Sequence, residues 1–232
     1  MALLLFAVAC SPNYYAPNTQ QIPGFHQKGE MAFSAAVGSD SRTDVQAAFA
    51  VSDQLALQFN GGLFTKQEEE ETGDSGQGYM VEAGAGYYRP FANDQLVFET
   101  YLLAGYGHLN NNFPSTLAMY PNTTGKIEAG LFRVGLQPSL TFTTKYFDAA
   151  FSSRFALLQY SAIDGNLTFE NVDQVRYLQE EKGQFLAEPA LTIRVGYDKF
   201  KVQAQIGRSF NLTNDAFKQS ELWSSLGIGY KF

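Results

Sequence analysis

Leu222-Trp-Ser-Ser-Leu-Gly-Ile-Gly-Tyr-Lys-Phe232 alternates in type along its length. Leu222, Leu226, Ile228, Tyr230 and Phe232 share one parity, while Trp223, Ser225, Gly227, Gly229 and Lys231 share the other. A period of two belongs to a β-strand, here with one apolar face and one small or polar face. The same dyad recurs back through the chain at the spacing that membrane-crossing strands require.

From Gly29 onward about ten such segments follow one another, with eight a possible count. One parity carries Phe33, Phe49, Phe59, Phe98, Phe132, Phe151 and Ile193. Short connections near positions 52, 91, 145 and 198 alternate with long ones near 70, 115, 170 and 215, and the turn near 40 is the short exception. Pro189 falls inside the eighth segment, where it has no N–H to give a ladder, so a bulge or strand margin is expected there. A short helix is expected around Val172–Glu180. The chain resembles the bacterial outer-membrane β-barrel family, whose last strand alternates in this way and ends in Phe. That resemblance implies a closed antiparallel up-and-down transmembrane barrel, all-β, in the outer membrane of a Gram-negative bacterium. Short turns would then face the periplasm and long loops the exterior.

Composition agrees with such a fold. The chain has 20 Phe, 13 Tyr and 21 Gly but only 17% charged residues, which favours strands and tight turns. Mean hydropathy is −0.19 and no apolar run reaches the length of a membrane helix. A barrel needs none, because half of each strand faces inward. A net charge of −7 argues against nucleic acid, and one cysteine excludes an internal disulfide or a cysteine metal cluster. No cofactor or metal is implied.

The lone cysteine stands at Cys10, after an apolar run and Ala7-Val8-Ala9. This resembles the end of a lipoprotein signal peptide, although no basic residue precedes the run. The expected division is a signal remnant over 1–9, a lipidated periplasmic tether over 10–28 and the barrel over 29–232. Residues 11–28 hold three prolines and no periodicity, and His26 is expected to be solvated there. Outer-membrane lipid is the implied partner of Cys10.

Nearly every mid-strand charge falls on the inward parity: Glu30, Asp44, Glu82, Glu99, Arg133, Asp148, Arg154, Glu188 and Arg194, with Lys231 near the end. Buried charges must pair, so the expectation is a polar network that fills the lumen. An excess of carboxylates leaves a narrow cation-preferring pore as the alternative. Tyr87, Tyr88, Phe91, Tyr146, Phe147, Tyr197, Phe200, Tyr230 and Phe232 gather at the short-turn ends, as a membrane-interface girdle would. Phe113, Tyr120, Phe210 and Trp223 lie near the opposite rim and offer a surface for a protein or glycan.

Ten strands with acidic loops also resemble the omptin-type surface proteases, which use a His–Asp pair at the outer rim. The one rim histidine is His108, in an Asn-rich stretch without an adjacent acid; Asp164 and Glu170 are the acids that another loop would have to bring. No nucleophile elbow, zinc-binding helix or phosphate-cradling loop is present. The sequence therefore favours a structural or surface-interaction role over an enzyme: a receptor, adhesin or accessory subunit. An outer-membrane or surface protein would be met through the loops Lys66–Gly78 and Ser161–Gly183.

Overall fold

The computed structural model describes residues 12–39, 41–66, 74–114, 122–197 and 199–232. In chain order the elements are β1 (Met31–Gly38), β2 (Arg42–Ala50), β3 (Leu55–Lys66), β4 (Ser75–Phe91), β5 (Leu96–Phe113), β6 (Gly125–Thr143) and β7 (Phe147–Gly165). Then follow β8 (Thr168–Phe169), β9 (Val172–Asp173), α1 (Gln174–Glu180), β10 (Gly183–Tyr197), β11 (Phe200–Arg208), β12 (Phe210–Asn211) and β13 (Leu222–Lys231).

Ten of these strands form a closed antiparallel barrel. Each pairs with its sequence neighbour, and β13 pairs with both β11 and β1, so the sheet has no free edge. Closure is the condition for placing strands in lipid, where an unpaired N–H or C=O finds no water. The parity read from the sequence is the parity of the wall. Phe59, Phe98, Phe132 and Ile193 are 40–55% exposed and face outward, while Glu99, Arg133, Arg154 and Glu188 are buried inside. The ten-stranded outer-membrane barrel is thus the fold.

Pro189 sits at an interruption of the ladder. β10 meets β11 from Ala190↔Gly207 and meets β12 at Ala187↔Phe210, and the pairing lapses between them without a change of register. A residue with no N–H is tolerated where a rung is missing. The bulge instead lies between β6 and β7, where Glu128↔Asp164 gives way to Gly130↔Ser161. Ala162 takes a left-handed φ of 48° there. The expected helix is α1, capped by Asp173, whose carboxylate accepts from Val175 and Arg176 N–H.

Three strands outrun the sequence reading. β5, β6 and β7 have 18, 19 and 19 residues, against roughly 9–11 needed to cross a bilayer. The stretch from His108, read as loop, is still strand as far as Phe113. These strands rise past the membrane on the long-loop side and carry the β8–β9 ribbon and α1 as a cap.

Candidate functional site

Residues 12–25 account for the lumen. The expected periplasmic tether over 10–28 is instead, from Pro12 to Phe25, an irregular strap that runs through the inside of the barrel, nearly all of it buried. Cys10 lies outside the described residues, as does residues 1–9. The strap's Tyr14 end lies among the long connections and its Phe25 end among the short turns. Three layers hold it.

The upper layer is apolar. Tyr14 and Tyr15 pack with Leu109, Phe113, Ile127, Leu131, Tyr160 and Phe217. Tyr14 N–H donates to Lys218 O at 2.9 Å, and its hydroxyl donates to Gln174 Oε1 of α1 at 2.9 Å. Tyr160 OH donates to Tyr14 O at 2.8 Å. In this cap the Lys218 ammonium sits 4.5 Å over the Phe169 ring, and burial holds it below the usual lysine pKa.

The middle layer is ionic and centred on Asn18. Glu82 accepts from Arg133 at 2.6 Å, and Glu188 accepts from Arg154 Nε at 2.6 Å. Between these two ion pairs, Asn18 Oδ1 accepts from Arg133 Nη2 at 2.6 Å and Arg154 Nη1 at 2.8 Å. Arg133 also donates to Tyr15 OH. Asp44 pairs with Arg42 at 3.1 Å and accepts Thr19 N–H at 2.8 Å. Gln20 is held on every side. Its N–H donates to Gln205 Oε1 (2.8 Å), its amide to Glu188 O (2.7 Å), and its Oε1 accepts from Ser152 (2.7 Å). A strap without secondary structure must have its polar backbone groups met by side chains, and here the wall does so.

In the lower layer Glu99 accepts Gly24 N–H at 2.9 Å, Phe25 N–H at 3.4 Å and Tyr101 OH at 3.2 Å. Phe25 packs edge-on to Tyr88 at 5.7 Å. Arg194 donates to Ile22 O at 2.7 Å, and Lys231 to Gly24 O at 2.8 Å. The strap then leaves at the short-turn mouth. There His26 Nε2 meets Asp94 O at 2.9 Å and His26 N–H donates to Glu30.

Set against the sequence reading, Asp44, Glu82, Glu99, Arg133, Asp148, Arg154 and Glu188 are buried inward. They are not one crossed network. Glu82, Arg133, Arg154 and Glu188 form the centre. Asp148 pairs with Lys201 at 2.6 Å, and Glu30 with Lys231 at 3.4 Å, both nearer the short-turn mouth. Arg194 donates to Gln203 at 3.2 Å as well as to the strap. Arg42, just after the short turn near position 40, is an inward cation of β2 that lies 5.5 Å over the Trp223 ring and donates to Pro17 O.

Several rim readings change. Trp223 and Phe113 are buried inside and offer no outer surface; Phe210 is exposed, and Tyr120 lies outside the described residues. Tyr88 turns inward, its hydroxyl donating to Ser52 O at 2.6 Å, and leaves the girdle. Tyr146, Tyr197, Tyr230 and Phe232 remain outward, with Tyr230 and Phe232 only 4.7 Å apart. His108 belongs to β5 and stacks on Tyr79 at 6.3 Å, on the parity of Leu102 and Tyr106 that faces away from the lumen.

No family model matches the chain, and no curated protein matches it. Among solved structures it is similar to the translocator domain of the autotransporter NalP from Neisseria meningitidis, at 13% identity over 88% of this chain and 87% of that one, with a TM-score of 0.45. A major outer membrane protein of Thermus thermophilus is similar at 9% identity over 88% and 99%, with a TM-score of 0.41. The N-terminal β-barrel domain of Pseudomonas aeruginosa OprF is similar at 10% identity over 89% and 99%, with a TM-score of 0.34. The likeness is one of barrel architecture and carries no residue's role. By its own closed sheet and apolar exterior, the chain is an outer-membrane β-barrel whose lumen its own amino-terminal strap fills.

Proposed function

We propose that this protein is a lipid-anchored outer-membrane barrel with a structural or surface-interaction role, as a receptor, adhesin or accessory subunit, and that it does not conduct. One observation carries the reading: Asn18 and Gln20 sit at the centre of the lumen and bond to both sides of the wall at 2.6–2.8 Å. A pore would need that axis open, whereas here Asn18 and Gln20 bridge polar groups of the wall across it. The ordered cap of β8, β9, α1 and residues 212–221 is the surface offered to a partner, with Val172 and Leu212 exposed on it. Pro12, at the long-loop end of the strap, follows Cys10 by two positions in the sequence.

The native protein is expected to stay silent in planar bilayers and to leave liposomes unswollen in sugar solution. A variant lacking residues 12–25 is expected to conduct. Steady conductance by the native protein would overturn the closed-lumen reading. Loss of acyl labelling in Cys10→Ser tests the anchor separately.

A further inference from the structure

The short-turn mouth of the barrel holds a cavity of about 230 Å³ beside the lower end of the strap. Its lining includes Lys145, Arg194, Lys199, Lys201 and Lys231, five of the chain's sixteen Lys and Arg residues, against the single lining carboxylate Asp148. In a chain of net charge −7 this is a concentrated positive region. Two of the cations have carboxylate partners, Lys201 with Asp148 at 2.6 Å and Lys231 with Glu30 at 3.4 Å, while Arg194 donates to Ile22 O and Gln203 and Lys145 lies 4.9 Å over the Tyr197 ring. Among the described residues no carboxylate lies within ion-pair distance of Arg194, Lys145 or Lys199. Glu99, the other acid behind this mouth, accepts hydrogen bonds from Gly24, Phe25 and Tyr101.

A second observation is independent of charge. Thr141 Oγ1 and Gln21 Oε1 both belong to residues that line the cavity and are at least 95% buried, and neither atom has a hydrogen-bond partner. Buried polar atoms are normally satisfied, so a polar occupant is called for. The hydroxyl of Thr141 can donate to an anionic oxygen, and Gln21 Oε1 can accept from a hydroxyl of the same ligand.

We propose that this mouth binds a phosphate group. Several converging cations with room for a small group suit a compact multivalent anion, and Arg194 supplies a planar donor at the strap end. Two sources share this chemistry, a free phosphate or phosphomonoester and the phosphate of an anionic lipid headgroup at the level of the Tyr146 and Tyr197 rings.

Two measurements decide between them. Inorganic phosphate is titrated calorimetrically into the native protein in neutral detergent, with chloride as the control. In parallel, lipid retained from nanodiscs of phosphatidylglycerol or phosphatidylcholine is counted by native mass spectrometry. The same is done for Arg194→Gln, for Thr141→Val, and for the double variant Lys145→Gln/Lys199→Gln, whose exposed side chains leave the fold intact. Phosphate binding that weakens about tenfold in Arg194→Gln and several-fold in the others assigns a soluble ligand. Selective retention of phosphatidylglycerol that the variants lose assigns the lipid headgroup. Phosphate heats equal to chloride, together with equal lipid retention by native and variant proteins, would overturn the proposal.

Discussion

Asn18 is an uncharged residue on which two buried guanidinium groups converge. Its side-chain oxygen stands between Arg133 and Arg154, whose carboxylate partners Glu82 and Glu188 lie on β4 and β10. Removing one member of a buried ion pair costs about 3–5 kcal/mol, because the survivor keeps its desolvation penalty. Glu82→Ala leaves Arg133 without its ion-pair partner and is expected to fall in that range. Asn18→Ala removes a neutral acceptor and is expected to cost about 1–3 kcal/mol. The exposed α1 pair Arg176–Glu180, at 2.8 Å, is the control, and its loss through Arg176→Ala should leave the melting unchanged. Heat-induced loss of the folded band on gel electrophoresis should rank Glu82→Ala below Asn18→Ala, and that below Arg176→Ala. Equal melting of all three would mean that the centre of the lumen is hydrated and soft. Parity alone made Glu82, Arg133, Arg154 and Glu188 legible, because a one-residue slip would have sent them into lipid. Asn18 was not legible. It belongs to no alternating run, and its partners lie 64 to 136 positions away.

The strap had one signal in the sequence that composition could have shown. From Pro12 to Phe25 there is no charged residue, yet Asn13, Asn18, Thr19, Gln20 and Gln21 are all polar. A solvated tether has no reason to avoid charge, whereas a segment that threads a lined ionic lumen needs amides that both donate and accept. The strands were legible because lipid on one side and protein on the other impose a period of two. That rule fades above the membrane, which is why the ends of β5 and β6 read as loop. Their inner faces there, with Leu109, Phe113 and Ile127, are as apolar as a soluble core. The β11–β13 pair gives an element-scale test. Gly207 stands directly across from Trp223, and a Cβ there would come 2.5 Å from the indole ring. Gly207→Ala is expected to push the ring and to cost about 1–3 kcal/mol, as overpacking does. Trp223 is the only tryptophan, so its fluorescence reports the shift directly. An unchanged emission maximum and unchanged melting would show that the ring yields freely.

At the scale of the molecule, the two ends of the barrel are built differently, and that difference fixes what each can meet. At one end the strands are joined by connections such as 51–54, 92–95 and 144–146, ringed by outward Tyr146, Tyr197, Tyr230 and Phe232. At the other, long strands lift a cap of β8, β9 and α1 around the strap's Tyr14. A strap that runs from Pro12 near the cap down the lumen and turns at Gly29 into β1 has both its ends placed by a single choice of orientation. If the capped end faces the exterior, a partner meets α1 and residues 212–221, while the basic mouth faces the periplasm. Impermeant maleimide on intact cells distinguishes the orientations in a Cys10→Ser background. Val172→Cys, exposed beside α1, is expected to label, and Asp53→Cys, exposed in a short turn, to label only after the cells are opened. The reverse pattern would put the cap in the periplasm and send the strap's amino-terminal end there with it. Both positions lie off the wall and off the strap, so neither substitution disturbs the barrel that is being oriented.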